Sequence, residues 1–398
     1  MSLFTTVEMA PRDPIFGLSE QFNADPHPAK VNLCVGVYLD DHGRLPVLAC
    51  VQAAEQQLTG APKAKGYLPI DGMAAYDRAV QDLVFGAHTD ALLERRVVTV
   101  QALGGTGGLK VGADFLKRLA PGAQVMISDP SWENHRALFT QAGFLVAPYP
   151  YYDASRRGVN FDAMLQALRG ADAGTVVVLH ACCHNPTGCD LTPAQWDQVV
   201  ATCREQQLVP FLDMAYQGFG DGIAQDGAVV QQFMASGVDF FLSTSFSKSF
   251  SLYGERVGAL SVVCSNSDDA GRVLSQLKIV IRSNYSTPPT FGAQIVAHVL
   301  TTPALRALWE RELDAMRERI RAMRQALVAK LRAAGAGVDL DYIIRQKGMF
   351  SYLGLSTPHM QRLRTDSGIY GLDSGRICVA ALNSGNLDAV AAGLLRVM

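Results

Sequence analysis

An α/β fold, with a mostly parallel central sheet flanked by helices and joined to a smaller α/β domain, is predicted by three features of this chain. Short β-rich runs alternate with amphipathic stretches from about residue 96 onward. Those runs are continuously apolar. Past Pro303 the alternation gives way to one long helical stretch and then a few short strands. Continuous apolar strands set between helices belong to sheets covered on both faces.

The predicted strands are 96–101, 124–128, 144–148, 175–180, 209–213, 240–245 and 259–264. Helical patterns fill the gaps, at 109–119, 133–142 and 193–206 among others. From Ala304 to about Ala334 the chain is rich in Arg, Leu, Ala, Met and Glu, which predicts one long helix. A short strand (349–353), a helix (358–367) and another short strand (377–380) follow. The first 45 residues contain Pro11, Pro14, Pro26 and Pro28 and cannot form one regular element. The expected division is an N-terminal arm with part of the small domain at 1–45, a large domain at 46–302, and the long helix with the small domain at 303–398.

With 398 residues, 48% hydrophobic and 18% charged, the chain can bury a large core. A net charge of −2 without basic clusters argues against nucleic acid as the main partner. No apolar run reaches membrane-spanning length, and the start Met-Ser-Leu-Phe-Thr-Thr-Val-Glu-Met lacks the pattern of a signal peptide. The eight cysteines form no disulfide framework, so a reducing cytoplasm is expected. Cys182-Cys183-His184 lacks C-x-x-C spacing, and adjacent cysteines on a strand point to opposite faces. No metal is expected.

In sheets of this kind, ligands sit outside the carboxyl ends of the strands, and five segments with chemical potential fall there. The most informative is Ser243-Thr-Ser-Phe-Ser-Lys248-Ser-Phe-Ser-Leu-Tyr-Gly-Glu-Arg256-Val-Gly258. One lysine stands among hydroxyls, with an arginine eight residues on. An amine placed at a strand end suits a Schiff base, while Ser245, Ser247 and Arg256 suit a phosphate monoester. Together they imply pyridoxal phosphate, a cofactor that acts as an electron sink. Alone, the lysine reads better as a surface residue of a Ser-rich loop; features far away in the chain overturn that reading.

Gly104-Gly105-Thr106-Gly107-Gly108 follows a strand and opens a helix, where free N–H groups favour an anion. A plain tight turn is the competing reading. Asp213 ends an apolar strand and would keep a pyridine nitrogen protonated, with Tyr216 donating to the ring's phenolic oxygen; a helix N-cap is the alternative. His180-Ala-Cys-Cys-His-Asn185-Pro186-Thr-Gly188 places Asn185 within reach of the same oxygen and His180 behind Asp213, with a cis Asn185–Pro186 bond expected; an ordinary Asn-Pro-x-Gly turn would look the same. Trp132, with His135 near it, would stack on the ring, or else is a core tryptophan. Arg282 and Arg376 lie in apolar settings. A buried guanidinium asks for an anion, a substrate α-carboxylate for Arg376 or else a structural ion pair.

With these segments in this order, the chain resembles the class I aminotransferases, fold-type I pyridoxal-phosphate enzymes, over essentially its whole length. The stretch from Ser245 to Val262, together with Tyr67-Leu-Pro, Leu109-Lys-Val-Gly-Ala-Asp-Phe-Leu-Lys-Arg and Ala215-Tyr-Gln-Gly-Phe-Gly, is most similar to the bacterial aromatic-amino-acid (tyrosine) branch, sister to aspartate aminotransferase. The resemblance implies Lys248 as Schiff-base lysine and proton carrier, with Asp213 on the pyridine nitrogen. Tyr216 and Asn185 contact the phenolic oxygen, and Trp132 stacks on the ring. Gly105, Thr106, Ser245, Ser247 and Arg256 hold the phosphate, joined by Tyr67 of the other subunit. Arg376 takes the α-carboxylate beside the backbone of Gly36, and Arg282 of the other subunit takes a side-chain carboxylate. A homodimer with shared sites is thereby implied.

The expected activity is transfer of an amino group from tyrosine, phenylalanine or tryptophan, and from aspartate, to 2-oxoglutarate by a two-step (ping-pong) route. Leu39 and Leu45 favour an aromatic side chain where aspartate enzymes tend to be polar. Gly66 leaves room without an apolar wall, and Thr106 and Thr287 favour neither reading. The nearest alternative is an aspartate aminotransferase with minor aromatic activity. A decarboxylase or β-lyase on the same fold fits two carboxylate-binding arginines less well. A cofactor-binding regulator would be expected to carry a fused DNA-binding segment or to lack the lysine.

Overall fold

The computed structural model describes residues 2–60, 64–337 and 339–398. Its centre is a seven-stranded sheet, with strands β1 (Val97–Leu103), β2 (Gln124–Asp129), β3 (Leu145–Pro150), β4 (Val176–His180), β5 (Val209–Met214), β6 (Phe240–Ser245) and β7 (Val257–Val263). The spatial order is β1-β7-β6-β5-β4-β2-β3. Only β7 runs antiparallel to its neighbours, β1 and β6. All seven predicted strands are present, displaced by two residues at most. The sheet is mostly parallel, as the unbroken apolar runs required.

Side-chain alternation sorts each strand between two cores. Val176 and Val178 join Phe211 and Phe241 on one face, while Val177 and Leu179 join Leu212, Phe240 and Leu242 on the other. The first face is covered by helices Gly104–Leu119, Glu133–Gln141 and Ser267–Asn284. The second core continues through the long helix Pro303–Ala333 to the C-terminal helix Leu387–Val397. In the long helix Trp309, Leu313, Met316, Ile320, Leu327, Val328 and Leu331 are buried, the three-to-four spacing of an apolar helical stripe.

Three two-stranded sheets complete the fold among the described residues, one of them the antiparallel pair of Tyr152–Asp153 with Gly158–Val159. Val31–Asn32 pairs in parallel with Ile369–Tyr370, and Phe350–Tyr352 pairs antiparallel with Arg376–Cys378. The proline-rich N-terminal segment therefore reaches the C-terminal part of the chain through a two-residue strand. Among the described residues no helix is long and apolar enough to cross a membrane.

Two expectations need correction. The helix after β1 begins at Gly104 rather than at residue 109, so the glycine turn is itself the first helical turn. Glycine's low helix propensity is overridden there by close packing: a Cβ on Gly108 would lie 2.6 Å from Ser243 Oγ, and one on Gly112 would lie 2.6 Å from Phe211 Cζ. Cys182 and Cys183 do not lie on a strand, because β4 ends at His180 and Cys183 has φ +51°. Their thiols gather with the Asp226 carboxylate within 4.8 Å instead of facing opposite ways. That carboxylate already accepts from the backbone N–H groups of Gly218, Gly220 and Asp221.

Phe211 is fully buried, with ring centroids 5.8 Å from Phe139 and 5.4 Å from Phe241. Phe211→Ala should lower the free energy of unfolding by about 3–5 kcal/mol. Urea denaturation at fixed protein concentration will measure this, and an unchanged midpoint would contradict the described packing.

Candidate active site

The carboxyl ends of the parallel strands and the amino end of β7 converge on one edge of the sheet. Register aligns His180 with Asp213 and Asp213 with Ser243 across β4, β5 and β6. At the other side, Gly258 pairs with Ser245 and with Ala102, bringing Gly104 and Gly105 against β6 and β7. Strand order therefore assembles residues more than a hundred positions apart.

Lys248 lies three residues beyond β6 in a turn, with Nζ 4.8 Å from the Tyr216 ring centroid. Burial pushes its amine down to about 8, helped by the cations Arg256 and Arg376 and opposed by Asp213. The turn is tied to the long helix, because Trp309 Nε1 donates to Ser249 O at 2.7 Å and stacks on Phe250 at 4.8 Å. Sequence reasoning did not find that anchor. An apolar Trp in a long helix carries no local sign of its target.

Asp213 is 5% exposed and is the penultimate residue of β5, and the next helix starts only at Ile223, too far along the chain for Asp213 to be its N-cap. The residue that braces it is His135, not His180. His135 Nε2 lies 2.9 Å from Asp213 Oδ2, and His135 Nδ1 lies 2.9 Å from Ser131 Oγ. A carboxylate only accepts, so Nε2 carries a proton toward Asp213, while Nδ1 shares a hydrogen bond with the Ser131 hydroxyl. Burial alone would raise the Asp213 carboxyl, but the His135 hydrogen bond and nearby positive charge, Lys248 included, hold it below the usual range.

His180 stands beside Asp213 in register, yet both ring nitrogens lack a hydrogen-bond partner. Its ring lies between those of His135 (4.9 Å) and His184 (4.2 Å), and burial keeps it neutral, with a pKa well below the ordinary histidine value. Trp132, half-buried, meets His135 edge-on at 5.3 Å. The short Trp132-to-His135 spacing on one loop and helix start was the available signal for this grouping.

The glycine turn faces Arg256. A Cβ on Gly104, at φ +70°, would lie 2.4 Å from Arg256 Nη2, and one on Gly105 would lie 3.1 Å from Ser245 Cβ. Arg256 Nη1 donates to Ser247 Oγ at 3.2 Å and to Tyr253 O at 3.0 Å, from a residue itself at φ +55°. Thr106 is half-buried in the first turn of the helix. Helix N–H groups, two serines and a guanidinium make an anion cradle.

Arg376 is 1% exposed. It donates from Nη1 to Asn185 Oδ1 (2.8 Å) and from Nη2 to Cys34 O (2.7 Å), while Nε has no partner. Its guanidinium lies 4.2 Å from the centroid of Phe350. A Cβ on Gly36 would lie 2.6 Å from Phe350 Cζ, so Gly36 and Arg376 pack on the same ring. The Asn185–Pro186 bond is cis, as expected, and Asp129–Pro130 is cis as well.

Two candidates stand apart. Tyr67 is 95% exposed, and Arg282 is exposed at the end of helix Ser267–Asn284, bonded to Ser286 Oγ. Within one chain neither bonds any other candidate residue.

The lowered Lys248 pKa has a direct consequence: the neutral, nucleophilic amine predominates above about pH 8. In the unliganded chain, acylation of Lys248 by an amine-selective reagent should rise with a midpoint near pH 8, read by peptide mass mapping. A midpoint at the ordinary lysine value of 10.5 would contradict the described surroundings.

The chain matches the family "Aminotransferase class I and II" over residues 28–394. It is 58% identical over 398 residues to an aspartate aminotransferase of Pseudomonas aeruginosa, covering all of both chains. It is 49% identical over 397 residues, again covering both chains fully, to an aromatic-amino-acid aminotransferase of Escherichia coli. The crystal structure of an aromatic-amino-acid aminotransferase from Burkholderia pseudomallei, covalently bound to pyridoxal phosphate, superposes with a TM-score of 0.98 at 60% identity over the whole of both chains. A partly buried lysine set between an anion cradle and a buried arginine, on a fold shared along its full length, makes this chain a member of the class I and II aminotransferases.

Proposed function

We propose that this aminotransferase moves the amino group of aromatic amino acids (tyrosine, phenylalanine, tryptophan), and of aspartate, to 2-oxoglutarate. The observation that carries the reading is the position of Lys248, which is under the opposed influence of Asp213 and of two arginines, Arg256 and Arg376. Relatives named for aromatic amino acids and for aspartate, both matching the full length, support both substrate types.

The cofactor is pyridoxal 5'-phosphate, and the donor set fits it. The amine of Lys248 suits its aldehyde and Asp213 suits its ring nitrogen. The Gly104–Arg256 approach, where a side chain would collide, leaves a cradle for its phosphate. When bound, it supplies an electron sink for the Cα–H bonding pair.

In this reading Lys248 Nζ anchors the cofactor and then carries the proton off the substrate Cα, a task that suits an amine with a pKa of about 8. Asp213, oriented by His135, keeps the ring nitrogen protonated. Tyr216 and Asn185 hold the phenolic oxygen, and Trp132 covers the ring. Gly105, Thr106, Ser245, Ser247 and Arg256 hold the phosphate. Arg376 grips the α-carboxylate, its fork held by Asn185 and Cys34 O, with Gly36 alongside. The two halves of the reaction alternate between amino acid and 2-oxo acid in a ping-pong cycle.

Tyr67 and Arg282 act in this reading from the second subunit of a homodimer, the first on the phosphate and the second on a side-chain carboxylate. Their exposure in the single chain supports this, as do the exposed apolar residues Leu3, Phe4, Val7 and Met9 of an arm suited to reach a partner. The domain division at residues 45 and 302 is kept as part of the same reading, with the small domain closing over substrate. Eight cysteines free of disulfides support a cytoplasmic location.

A second reading is favoured by the 58% identity to an aspartate aminotransferase: an enzyme for aspartate with minor aromatic activity. Leu45 bears on it, being 47% exposed in the single chain and therefore no finished apolar wall. Steady-state kcat/KM for phenylalanine and aspartate decides between them. Comparable values are expected, within about tenfold, and near-zero aromatic turnover would leave the aspartate reading alone.

Shared sites make a separate prediction. Lys248→Ala and Arg282→Ala chains should each turn over aspartate poorly. Refolding them together should restore up to about a quarter of wild-type activity, because half of the dimers are hybrids and each hybrid has one intact site. Activity no greater than the sum of the separate variants would exclude Arg282 acting across subunits.

A further inference from the structure

Arg324 of the long helix is only 2% exposed. Its guanidinium donates to Gly348 O (3.0 Å), Phe350 O (2.7 Å) and Ser351 Oγ (3.4 Å), all of them neutral. Arginine is seldom buried this completely without an anion beside it. Neutral carbonyls offset only part of the cost of removing the charge from water, and burial pushes its pKa down to about 10.

Arg324 lines a cleft of about 230 Å³, which Arg321, Arg345, Lys347 and Asp221 also line. Asp221 is the carboxylate in that lining, 2.9 Å from Arg321 and 2.5 Å from Lys347. Arg321 also pairs with Glu318 at 3.0 Å, outside the lining, and half-buried Asp190 acts on Lys347 through space. Among the described residues Arg324 and Arg345 are left without a carboxylate. Arg345 is exposed and makes no hydrogen bond or ion pair among the described residues. The net charge of the chain is −2, so this excess of positive charge is local. The cleft of about 230 Å³ holds roughly eight waters at about 30 Å³ each, room enough for a small hydrated ion.

We propose that this cleft, formed by the long helix, the 219–221 turn and the 344–348 segment, binds a small oxyanion of two or more negative charges, inorganic phosphate or a polycarboxylate. Arg345 and Lys347 close on it from the rim, and Arg324 supplies fixed positive charge beneath. Asp221 occupies part of the site as an internal competitor. The cleft is distinct from the lysine site, although Arg324 also holds the carbonyl of Phe350, whose ring packs against Arg376.

The test is titration calorimetry of the holoenzyme with inorganic phosphate and, separately, with citrate, in a buffer free of other oxyanions. Saturable binding below about 10 mM is expected for at least one of them, and the tighter of the two identifies the member of the class. Arg345→Gln should weaken it at least about tenfold, and Asp221→Asn, by releasing Lys347 and leaving Arg321 with Glu318 alone, should tighten it at least about threefold. Both variants should keep transaminase kcat within about twofold, which verifies their fold. Absence of saturable binding overturns the proposal. So does unchanged binding by Arg345→Gln, which would put the ion at the substrate arginines, and so does any failure of Asp221→Asn to tighten it.

Discussion

A carboxylate at the closed end of a parallel sheet has to be satisfied or neutralised, and Asp213 is the point around which the site is arranged. At 5% exposure it cannot rely on water. The proton on His135 Nε2, itself fixed by Ser131, answers the nearer oxygen, and the amine of Lys248 supplies positive charge. Keeping that pair in place depends on the turn after β6, held by Phe250 and Ser249 against Trp309. The long helix thus supports the lysine mechanically while lying outside the reacting groups.

Close backbone approach is the second constraint. At Gly104 and Gly258 even one methyl would collide with a neighbouring strand or guanidinium; a Cβ on Gly258 would lie 2.4 Å from Gly104 C. This packing turns a glycine run with poor helix propensity into the first turn of a helix. Its free N–H groups then face Arg256 and the serines of β6. Arg376 is buried as a cation whose contacts are an amide oxygen, a carbonyl and an aromatic face. An arginine without a carboxylate is poised for one from outside.

Much of this was legible along the chain. The seven strands followed from unbroken apolar runs such as Val176–His180, and the long helix from a stretch rich in Arg, Leu, Ala, Met and Glu. Lys248, Asp213, Asn185 and Arg376 were picked out because polar or charged residues at the ends of apolar runs need a reason to be there. The sequence puts His135 near the ring and His180 behind Asp213, whereas in the structure His135 is the residue bonded to Asp213. Adjacent strands put His180 beside Asp213, yet register alone does not aim an imidazole. Cys182 and Cys183 were misplaced for a related reason: β4 ends two residues before them, and the turn draws their thiols together.

The sequence by itself determined the elements and the residue types of the site, because periodicity, turn chemistry and polar residues at strand ends are local properties, and the resemblance of its motifs implied the family. Which groups touch was decided by tertiary structure. Strand order set Gly105 beside Ser245, the cis turn accompanies the meeting of Asn185 with Arg376, and helix packing buried Trp309 under the lysine turn. Arg324 gives the same lesson. In the sequence it is one arginine among many on a long helix, and only the fold removes its water and leaves it facing a cleft with two uncompensated positive charges.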